Sequence, residues 1–464
     1  MSASSSPSNP AQLERRLGPF DAAAIIVSNV IGGGILFTPP QVAAAAASGP
    51  LFLLTWIVGG LLAFAGAMAY AELASVRPRA GGEYVYLRDA YGPLWAFLTG
   101  WTSFVAGFSG AIATSAVVLA SYLGRFLPGA GESSAFLALP LVPGVVVVTL
   151  SPQTVVALVA IWGLALVHIR GLGPGRVLGN SLAALKVGAL VLFVALGFTL
   201  GSGEISHLTA PGGGTGAPAG WLLALIPVMF TYSGWNAAAY VAEEIAEPAR
   251  NLPRALALGT AAVVVIYACM NALYLYVFPV DELAAIRGSV LDVIADRLLG
   301  AAAGNVMGVV SIISLLASIS AMTLAGPRVY FAMARDGAFL ARAAAVHPRY
   351  RTPVAAIVAQ ALWSSVLVLT AGADTLVNYT GFAIVLFSGA AVLALFVLRR
   401  RDSAAARPFS AWGYPVAPAV FVVVSGIILV NGVLAAPTPT LAGVGVIALG
   451  VPLYLLFRRP SRTA

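Results

Sequence analysis

Lys186 is the residue whose type and position most clearly indicate chemistry. It is the only lysine of the chain and lies within the apolar stretch NSLAALKVGALVLFVALGF. An ammonium near the middle of a membrane costs at least ~2.5 kcal/mol, so it must face protein or a water-filled cavity and have a partner. A long side chain can also extend its charge to the membrane surface. Lys186, however, lies about ten residues from the cytoplasmic start of its predicted span, residues 177–200, which is roughly 15 Å along a helix, and that depth favours a functional role.

Two other stretches hold groups that could bind a ligand, because both interrupt helices in apolar surroundings. The stretch NVIGGGILFTPPQ, residues 29–41, places three glycines and two prolines where water cannot satisfy the broken backbone hydrogen bonds. The stretch LLALIPVMFTYSGWNAAAYVAEEIAEPARNLPRA is interrupted by Pro227 and then by Ser233, Gly234 and Trp235. Something other than water must use the backbone groups that these interruptions free.

Backbone groups at such breaks can bind a zwitterion. The N–H groups and the positive dipole end of a half-helix favour an anion, and unwound carbonyls accept hydrogen bonds from a cation. Gly32, Gly33 and Gly34 have no side chains, so a carboxylate could approach their amides closely. Close packing of helices through small residues is the alternative interpretation of the glycines. That alternative explains neither Pro39 and Pro40 nor the second interruption.

The composition indicates which elements position these residues. Hydrophobic residues make up 60% of the 464 residues, charged residues 9%, and the mean hydropathy is +0.94. Such a composition is typical of a membrane protein with many spans. Counting apolar stretches of about 20 residues predicts twelve spans. They cover residues 21–46, 50–75, 93–122, 148–169, 177–200, 221–244, 254–279, 303–334, 353–371, 375–398, 414–434 and 439–457.

The distribution of basic residues predicts the orientation of the chain. Basic residues accumulate in cytoplasmic loops. Of the 25 lysine and arginine residues, Arg125, Arg287 and Arg297 fall in the loops on one side and Lys186 falls within a span. The other 21 fall on the opposite side together with both chain ends, so both termini are predicted to be cytoplasmic. The net charge of +8 reflects arginines beside the inner leaflet and requires no nucleic acid as a partner.

The two interruptions lie five spans apart, at matching positions. This pattern is typical of transporters built from two inverted repeats, whose discontinuous helices meet near the middle of the membrane. The predicted fold class is therefore an all-α membrane protein with an inverted-repeat core. Its predicted parts are a cytoplasmic tail (1–20), a first five-helix repeat (21–200), a second repeat (221–398), two further helices (411–457) and a cytoplasmic C-terminal tail (458–464).

Several separate motifs occur in order over residues 18–425: NVIGGGIL, AELASVRPRAGGEYVYLRDAYG, FTYSGWNAAAYVAEEIAEPARNLPRA, GPRVYFAMARDG with HPRYRTPV, and RPFSAWGYPVAP. Together they resemble the amino acid–polyamine–organocation superfamily, and within it the L-type amino acid transporters and their bacterial relatives. The resemblance implies a LeuT-like 5+5 inverted-repeat core with discontinuous helices 1 and 6, plus two additional helices. It also implies that the chain transports a small-molecule amino acid substrate by alternating access.

The resemblance implies that unwound backbone and one aromatic residue bind the substrate. The N–H groups of residues 31–34 would bind the α-carboxylate, and carbonyls near Ile31 and at residues 230–233 would bind the α-ammonium. Phe230 resembles the aromatic residue that closes the extracellular side of the site. Trp235 belongs to the stretch GWN, which lines or orients the pocket, although packing between helices is the alternative for this residue. The implied substrate-binding residues are Ile31, Gly32, Gly33, Gly34, Phe230, Ser233, Gly234, Trp235 and Asn236.

Lys186 matches a fifth-helix lysine of the superfamily. In sodium-independent members that lysine occupies the place of the sodium ion bound by related sodium-coupled transporters. Its ammonium would bind carbonyls of the first helix and hydroxyls of the eighth. Ser314 and Ser318, four residues apart on one helical face, are the candidate hydroxyls, although helical serines often bond their own backbone. The sequence leaves open whether Lys186 is a permanent ion substitute or carries a coupled proton.

The sequence therefore predicts a sodium-independent secondary transporter of neutral L-amino acids, with exchange favoured because the L-type branch consists mostly of exchangers. Proton-coupled symport is the alternative, and a channel or receptor is a more remote one. An enzyme is not favoured, because the spans show no metal triad, carboxylate pair or nucleophile with a base. No acidic residue is predicted in the central pocket, which disfavours cationic substrates. Four glutamates are predicted to form gate or structural ion pairs: Glu72, Glu83, Glu243 and Glu244.

No cofactor or metal is predicted, because the three histidines show no ligand spacing. The only cysteine, Cys269, lies in an apolar run and is predicted to be a buried thiol. The loop of residues 123–147 contains no cysteine, so no disulfide-linked subunit is expected. The expected partners are the amino acid substrate and membrane lipid, and the expected location is a bacterial plasma (inner) membrane.

Overall fold

The computed structural model shows a chain that folds almost entirely into helices. It describes residues 13–142, 146–214, 218–300, 302–370, 373–404, 406–435 and 437–457, so residues 1–12 and 458–464 of the predicted tails lie outside it. The helices are α1 (Pro19–Val30), α2 (Gly34–Phe37), α3 (Pro39–Ala45), α4 (Gly49–Val76), α5 (Glu83–Tyr91), α6 (Pro93–Thr102), α7 (Phe108–Leu123), α8 (Pro152–Ile169), α9 (Leu172–Leu200), α10 (Pro218–Thr231), α11 (Ala237–Tyr240), α12 (Pro248–Val277), α13 (Val280–Ala285), α14 (Val290–Leu299), α15 (Ala303–Arg335), α16 (Val354–Thr370), α17 (Ala373–Arg401), α18 (Val416–Ala435) and α19 (Pro437–Phe457).

Ten helical stretches in the described ranges are long and apolar enough to cross a membrane. They coincide with all of the predicted spans except the sixth and the ninth. The sixth, predicted at 221–244, is divided between α10, α11 and a short 3-10 turn at Ala242–Glu244. The ninth, predicted at 353–371, is α16, an apolar helix of 17 residues. The chain is therefore a helical integral membrane protein.

Proline and serine determine where several of these helices begin. Pro19, Pro93 and Pro152 each lie in the first turn, where a missing N–H removes no helical hydrogen bond. Ser151 caps α8, because its Oγ accepts a hydrogen bond from the Thr154 amide at 3.2 Å. Thr154 Oγ1 in return accepts one from the Ser151 amide at 2.8 Å, and together they form a reciprocal cap. The helix starts thus lie in the loops between apolar stretches.

The prediction of an all-α fold was wrong for the stretch before α8. Here β1 (Leu137–Val142) and β2 (Val146–Leu150) form an antiparallel pair in which Leu137 lies opposite Leu150. The run of valines in β2 has high strand propensity. The fourth spanning helix consequently begins at Pro152 and not at residue 148.

The prediction that Cys269 is buried was also wrong. Cys269 lies on α12 and is exposed, whereas Tyr267, Met270 and Tyr274 on the same helix are fully buried. An apolar run in a spanning helix does not distinguish its core-facing side from its lipid-facing side, because lipid tails are as apolar as the protein interior.

The centre of the molecule is formed by α15 and the helices around it. Among the spanning helices described, α15 is the most buried and α19 the least. α15 packs against α1, α7, α8 and α9, while α12 packs against α1 and α4. α11 also contacts α1, so the interrupted first and sixth predicted spans lie side by side within this core.

Candidate functional site

The first helix breaks at the glycines. α1 ends at Val30, and Ile31 has an extended backbone with φ −76° and ψ 92°. α2 begins at Gly34 and is followed by α3, which begins at Pro39. Residues 31–33, referred to below as the first break, therefore lie between two helical segments.

The second interruption lies at residues 232–236, referred to below as the second break. α10 ends at Thr231 and α11 begins at Ala237. Gly234 has φ +97°, a backbone conformation that other residues rarely adopt. A Cβ atom at Gly234 would lie 3.0 Å from the side chain of Asn29. Glycine here permits both the sharp turn and the close approach of α1.

Hydroxyl groups hold the two interrupted helices together. The Tyr267 hydroxyl of α12 lies within hydrogen-bond distance of the carbonyl oxygens of Val30, at 2.9 Å, and Thr231, at 3.3 Å. The hydroxyls of Thr38 and Thr231 are 2.9 Å apart. The ends of helices from two distant parts of the sequence thus form one region at the centre of the protein.

Lys186 is fully buried and lies against the first break. Its Nζ donates to the carbonyl oxygens of Ile31, at 2.5 Å, and Ser28, at 3.2 Å. Ser318 Oγ donates to the same two oxygens, at 3.3 Å and 2.8 Å respectively. Ser314, one turn earlier on α15, is buried but forms no hydrogen bond with these carbonyls in the part of the chain described. The structure thus brings Lys186 and Ser318 together at Ile31 and leaves Ser314 apart.

The first break retains free backbone donors. The amides of Gly32 and Gly33 donate no hydrogen bond to any described residue. The carbonyl of Ile31, by contrast, already accepts from both Lys186 and Ser318, so it is not a free acceptor for an ammonium. The carbonyl of Ser233 in the second break accepts no hydrogen bond from the described residues. Free donors and a free acceptor therefore come from different breaks.

A cavity of about 650 Å³, including the part open to solvent, lies beside the second break, and the residues of the first break are not among those that line it. Asn29 of α1 and Gly234 of the second break line one part of it. A stretch of π-helix, Ser103–Gly107, joins α6 to α7 and also lines the cavity. Such local widening of a helix is frequent at functional sites. The polar lining residues are Asn29, Glu83, Thr99, Thr102, Ser103, Ser233, Asn236 and Tyr240.

Glu83 reaches this cavity because of the two glycines before it. Gly81 and Gly82 have φ values of +109° and +50°, and α5 begins directly after them at Glu83. A Cβ atom at Gly82 would lie 2.7 Å from the ring of Tyr240, and the Gly81 amide donates to the Tyr240 carbonyl at 3.0 Å. The glycine pair holds the start of α5 against α11. The same GG before a glutamate in the sequence was the signal for this placement.

Glu83 corrects two predictions, because it lines the cavity and forms no ion pair with any described residue. Its Oε1 accepts from the Tyr70 hydroxyl at 2.6 Å and from Asn236 Nδ2 at 2.7 Å. Asn236 Nδ2 also donates to the Tyr240 hydroxyl at 3.0 Å. Burial raises the pKa of the Glu83 carboxyl, whereas hydrogen bonds from Tyr70 and its other neighbours oppose that rise. The central cavity therefore does contain an acidic residue.

Of the predicted substrate residues, Ser233, Gly234 and Asn236 line the cavity, whereas Ile31, Gly32, Gly33, Gly34, Phe230 and Trp235 do not. Trp235 is buried and packs edge-on against Tyr70 and Phe421, with ring centroids 4.8 Å and 5.9 Å away. This is the position of a core aromatic between helices, the alternative stated for Trp235. Phe230, near the end of α10, is half-buried and does not line this cavity.

The other three predicted glutamate ion pairs are present. Glu244 and Arg328 are both fully buried, and their closest atoms are 2.9 Å apart. Such a pair compensates charge that would be expensive to bury alone. The pairs are Glu72 with Arg399, Glu243 with Arg335 and Glu244 with Arg328. Over the described ranges, no group of three or more His, Cys, Asp or Glu residues is placed to hold a metal ion.

Comparison with known proteins agrees with this architecture. The family model described as amino acid permease matches residues 17–457. The serine/threonine exchanger SteT of Bacillus subtilis is 26% identical over 449 residues, which cover 95% of this chain and 96% of that protein. The large neutral amino acids transporter small subunit 2 and the Asc-type amino acid transporter 1, both of Mus musculus, are each 28% identical, covering 96% of this chain and 81% of each relative. The family and these relatives are named as transporters, not as enzymes.

Proposed function

The chain belongs to the amino acid permease family, and from that premise we propose that it is a sodium-independent exchanger of neutral L-amino acids. One observation carries the proposal: the first break has free amides, the second has a free carbonyl beside a cavity, and the Tyr267 hydroxyl joins the ends of the two helices that bear them. Unpaired donors and acceptors at the ends of half-helices suit the carboxylate and ammonium of one zwitterion. The name of the Bacillus relative, an exchanger for serine and threonine, supports exchange.

In the proposed binding mode, the α-carboxylate accepts hydrogen bonds from the amides of Gly32 and Gly33. The α-ammonium donates to the carbonyl of Ser233, since the Ile31 carbonyl is occupied by Lys186 and Ser318. The substrate side chain then extends into the cavity, whose lining includes Asn236. Alternating access would expose this site to one side of the membrane and then to the other.

In this proposal, the ammonium of Lys186 occupies the position of a bound cation. A fixed ammonium on the first break, held by carbonyls of α1 and supported by Ser318, joins α1 to α9 and α15 as a metal ion bound to the same carbonyls would. A site already filled by a side-chain charge leaves no place for sodium. The proposal is therefore transport that does not depend on sodium.

The proposed arrangement of the chain is twelve transmembrane helices in two inverted repeats, at residues 21–200 and 221–398, with two additional helices at 411–457. The matching breaks in the first and sixth spans support it. The excess of arginine on one side supports cytoplasmic termini. We place the protein in a bacterial plasma membrane, in keeping with the Bacillus relative.

We also propose that the chain works without a disulfide-linked subunit. One relative is named a small subunit, which indicates that this relative assembles with another chain. The only cysteine here, Cys269, lies on the outer surface of α12 and not in the loop of residues 123–147. Recovery of a covalently linked second chain from native membranes would contradict this part of the proposal.

The test is uptake of a labelled neutral amino acid by the purified protein in sealed liposomes. Vesicles are prepared with or without internal unlabelled amino acid, with external sodium or choline, and with or without an inward pH gradient. Protein-free vesicles serve as the control. Strong stimulation by internal amino acid, with little response to sodium or to pH, is expected. Dependence on external sodium, or equilibration without internal substrate as in a channel, would overturn the proposal, and accumulation driven by the pH gradient would replace it with proton symport.

A further inference from the structure

We propose that Glu83 forms the side-chain end of the substrate site and selects amino acids whose side chains carry a neutral hydrogen-bond donor, such as a hydroxyl. This inference rests on the proposed function and specifies its substrate class. It starts from the position of Glu83 in the cavity that also contains Ser233 and Gly234 of the second break.

Glu83 differs from the other buried glutamates in having no cation beside it. Glu244 is fully buried against the guanidinium of Arg328 at 2.9 Å, and Glu72 is paired with Arg399. Glu83 is only 7% exposed, yet no arginine, lysine or histidine of the described residues forms an ion pair with it. A structural glutamate in such a place would be expected to have a partner.

One oxygen of the Glu83 carboxyl remains without a hydrogen bond. Both donors, the Tyr70 hydroxyl and Asn236 Nδ2, are bonded to Oε1. No hydrogen bond from a described residue reaches Oε2. Because Glu83 lines the cavity, a ligand bound there can donate a hydrogen bond to Oε2. Oε2 is therefore the atom through which a ligand can be recognised.

The polar groups that surround the Glu83 carboxyl are neutral. They are Tyr70 on α4, Thr99 on α6, Asn236 in the second break and Tyr240 on α11. Thr99 Oγ1 is buried and forms no hydrogen bond with the described residues. This end of the cavity thus offers an unused carboxyl oxygen and an unused hydroxyl, both of which suit a polar side chain and not an aliphatic one.

The second break connects the two ends of the site. Ser233, the proposed acceptor of the α-ammonium, lies three residues before Asn236, which donates to Glu83. Both residues line the same cavity. An amino acid held by its α-groups at the breaks would therefore direct its side chain toward Glu83.

Threonine and valine provide the sharpest probe, because their side chains have the same shape and differ by a hydroxyl in place of a methyl. A buried charged acceptor left unpaired by valine gives an expected preference for threonine of about tenfold or more. The first measurement is the concentration of each that halves exchange of labelled alanine by the wild-type protein in proteoliposomes. Equal inhibition by threonine and valine would overturn the inference. Absence of alanine exchange would instead overturn the proposed function.

Two variants test whether Glu83 itself produces the preference. Glu83→Met has a similar length but no acceptor, so the threonine preference should fall to within about twofold. Glu83→Gln retains a hydrogen-bond acceptor and should keep most of the preference for threonine. The ratio of the two inhibitory concentrations does not depend on the amount of active protein. A Glu83→Met protein that keeps the wild-type ratio would contradict the proposal, and if it does not fold, a wild-type ratio in Glu83→Ala would contradict it.

Tyr70→Phe is the matched control. It removes one donor to Glu83 Oε1 from a residue that does not line the cavity. The threonine preference should survive in this variant, because Glu83 still lines the cavity. A fall as large as that in Glu83→Met would place the effect in the packing around Glu83 and would overturn its assignment as the selecting group.

Discussion

The two breaks at the centre of the protein are held in different ways. In the first break, the carbonyl of Ile31 is bound by the buried ammonium of Lys186, with Ser318 beside it. The second break contains no charged residue, and its Asn236 is bonded to the carboxyl of Glu83 and the hydroxyl of Tyr240. One break is thus neutralised by a positive charge and the other lies next to an uncompensated acidic group.

This difference indicates that the two breaks bind different groups of the substrate. At the first break the carbonyl of Ile31 is already bound, and the amides of Gly32 and Gly33 are free to donate hydrogen bonds. At the second break a free carbonyl and the nearby Glu83 present acceptors. A zwitterion with a polar side chain would match both. The following substitutions test each side of the comparison, beginning with the largest expected effect.

Replacing Lys186 should have the largest effect. Lys186→Ala removes two hydrogen bonds from a charged donor to the carbonyls of Ser28 and Ile31, and exchange should fall by about 1000-fold if each is worth about 2 kcal/mol. Exchange and gradient-driven uptake in proteoliposomes provide the measurement. Loss of every transport mode fits a permanent ion substitute. Normal transport in all modes would contradict any role for Lys186, and loss of proton-driven accumulation with exchange retained would make it a coupling group.

Substitution of Gly33 should abolish binding while leaving the fold intact. A Cβ at Gly33 would meet only Leu315 Cδ2 at 3.9 Å, an ordinary contact, and Gly33 has right-handed helical dihedrals. Gly33→Val should therefore fold, but its methyls would block the carboxylate and weaken binding by about 100-fold if two hydrogen bonds to the carboxylate are lost. Scintillation proximity with labelled amino acid measures the binding.

Gly33→Ala and Gly34→Ala form a matched pair for the same test. A Cβ at Gly34 would lie 3.0 Å from Thr231, so Gly34→Ala should lower thermal stability in detergent, whereas Gly33→Ala should not. Wild-type affinity in Gly33→Val would place the carboxylate site elsewhere.

Removal of the hydroxyl that joins the two breaks should have an intermediate effect. Tyr267→Phe loses the bonds to the carbonyls of Val30 and Thr231. Each is worth about 1 kcal/mol, so exchange should slow by about 30-fold. Initial rates of exchange at saturating substrate report the change. An unchanged rate would mean that the breaks keep their relative position without this hydroxyl.

The smallest effect is expected at the serines of α15. Ser318→Ala removes a hydroxyl from the carbonyls that Lys186 still binds, so exchange should fall by about threefold to fivefold. Ser314→Ala, at a buried position that makes no such bond, should stay within about twofold of wild type. Equal losses of exchange in Ser318→Ala and Ser314→Ala would contradict the claim that only Ser318 supports the Lys186 contact.

The sequence predicted most of the architecture and part of the site. Apolar length placed ten spans, and the glycines and prolines placed both breaks, because these residues act locally on the backbone. The need of a buried ammonium for acceptors predicted that Lys186 has a partner, whereas the first helix as the source of that partner was implied by the family resemblance. The hairpin of β1 and β2 was missed because a run of apolar residues does not distinguish strand from helix.

Glu83 could not be assigned from the sequence because its environment is made by distant elements. Its donors come from Tyr70 on α4 and Asn236 in the second break, which lie 13 and 153 positions away along the chain. A glutamate in a loop with nearby arginines favours an ion pair on local grounds. Trp235 is a similar case, since its contact with Phe421 depends on how α18 packs. Local pattern determines breaks and spans, whereas the partners of buried polar groups depend on tertiary packing.

The most direct test of the central claim is an experimental structure of the protein with bound threonine, determined by cryo-electron microscopy in lipid nanodiscs. The expected result is a carboxylate within hydrogen-bond distance of the amides of Gly32 and Gly33, an ammonium at the Ser233 carbonyl and the threonine hydroxyl directed toward Glu83. Lys186 should keep its contact with the Ile31 carbonyl. Threonine bound at any other place, with both breaks empty, would contradict the claim that the two breaks form one amino acid site.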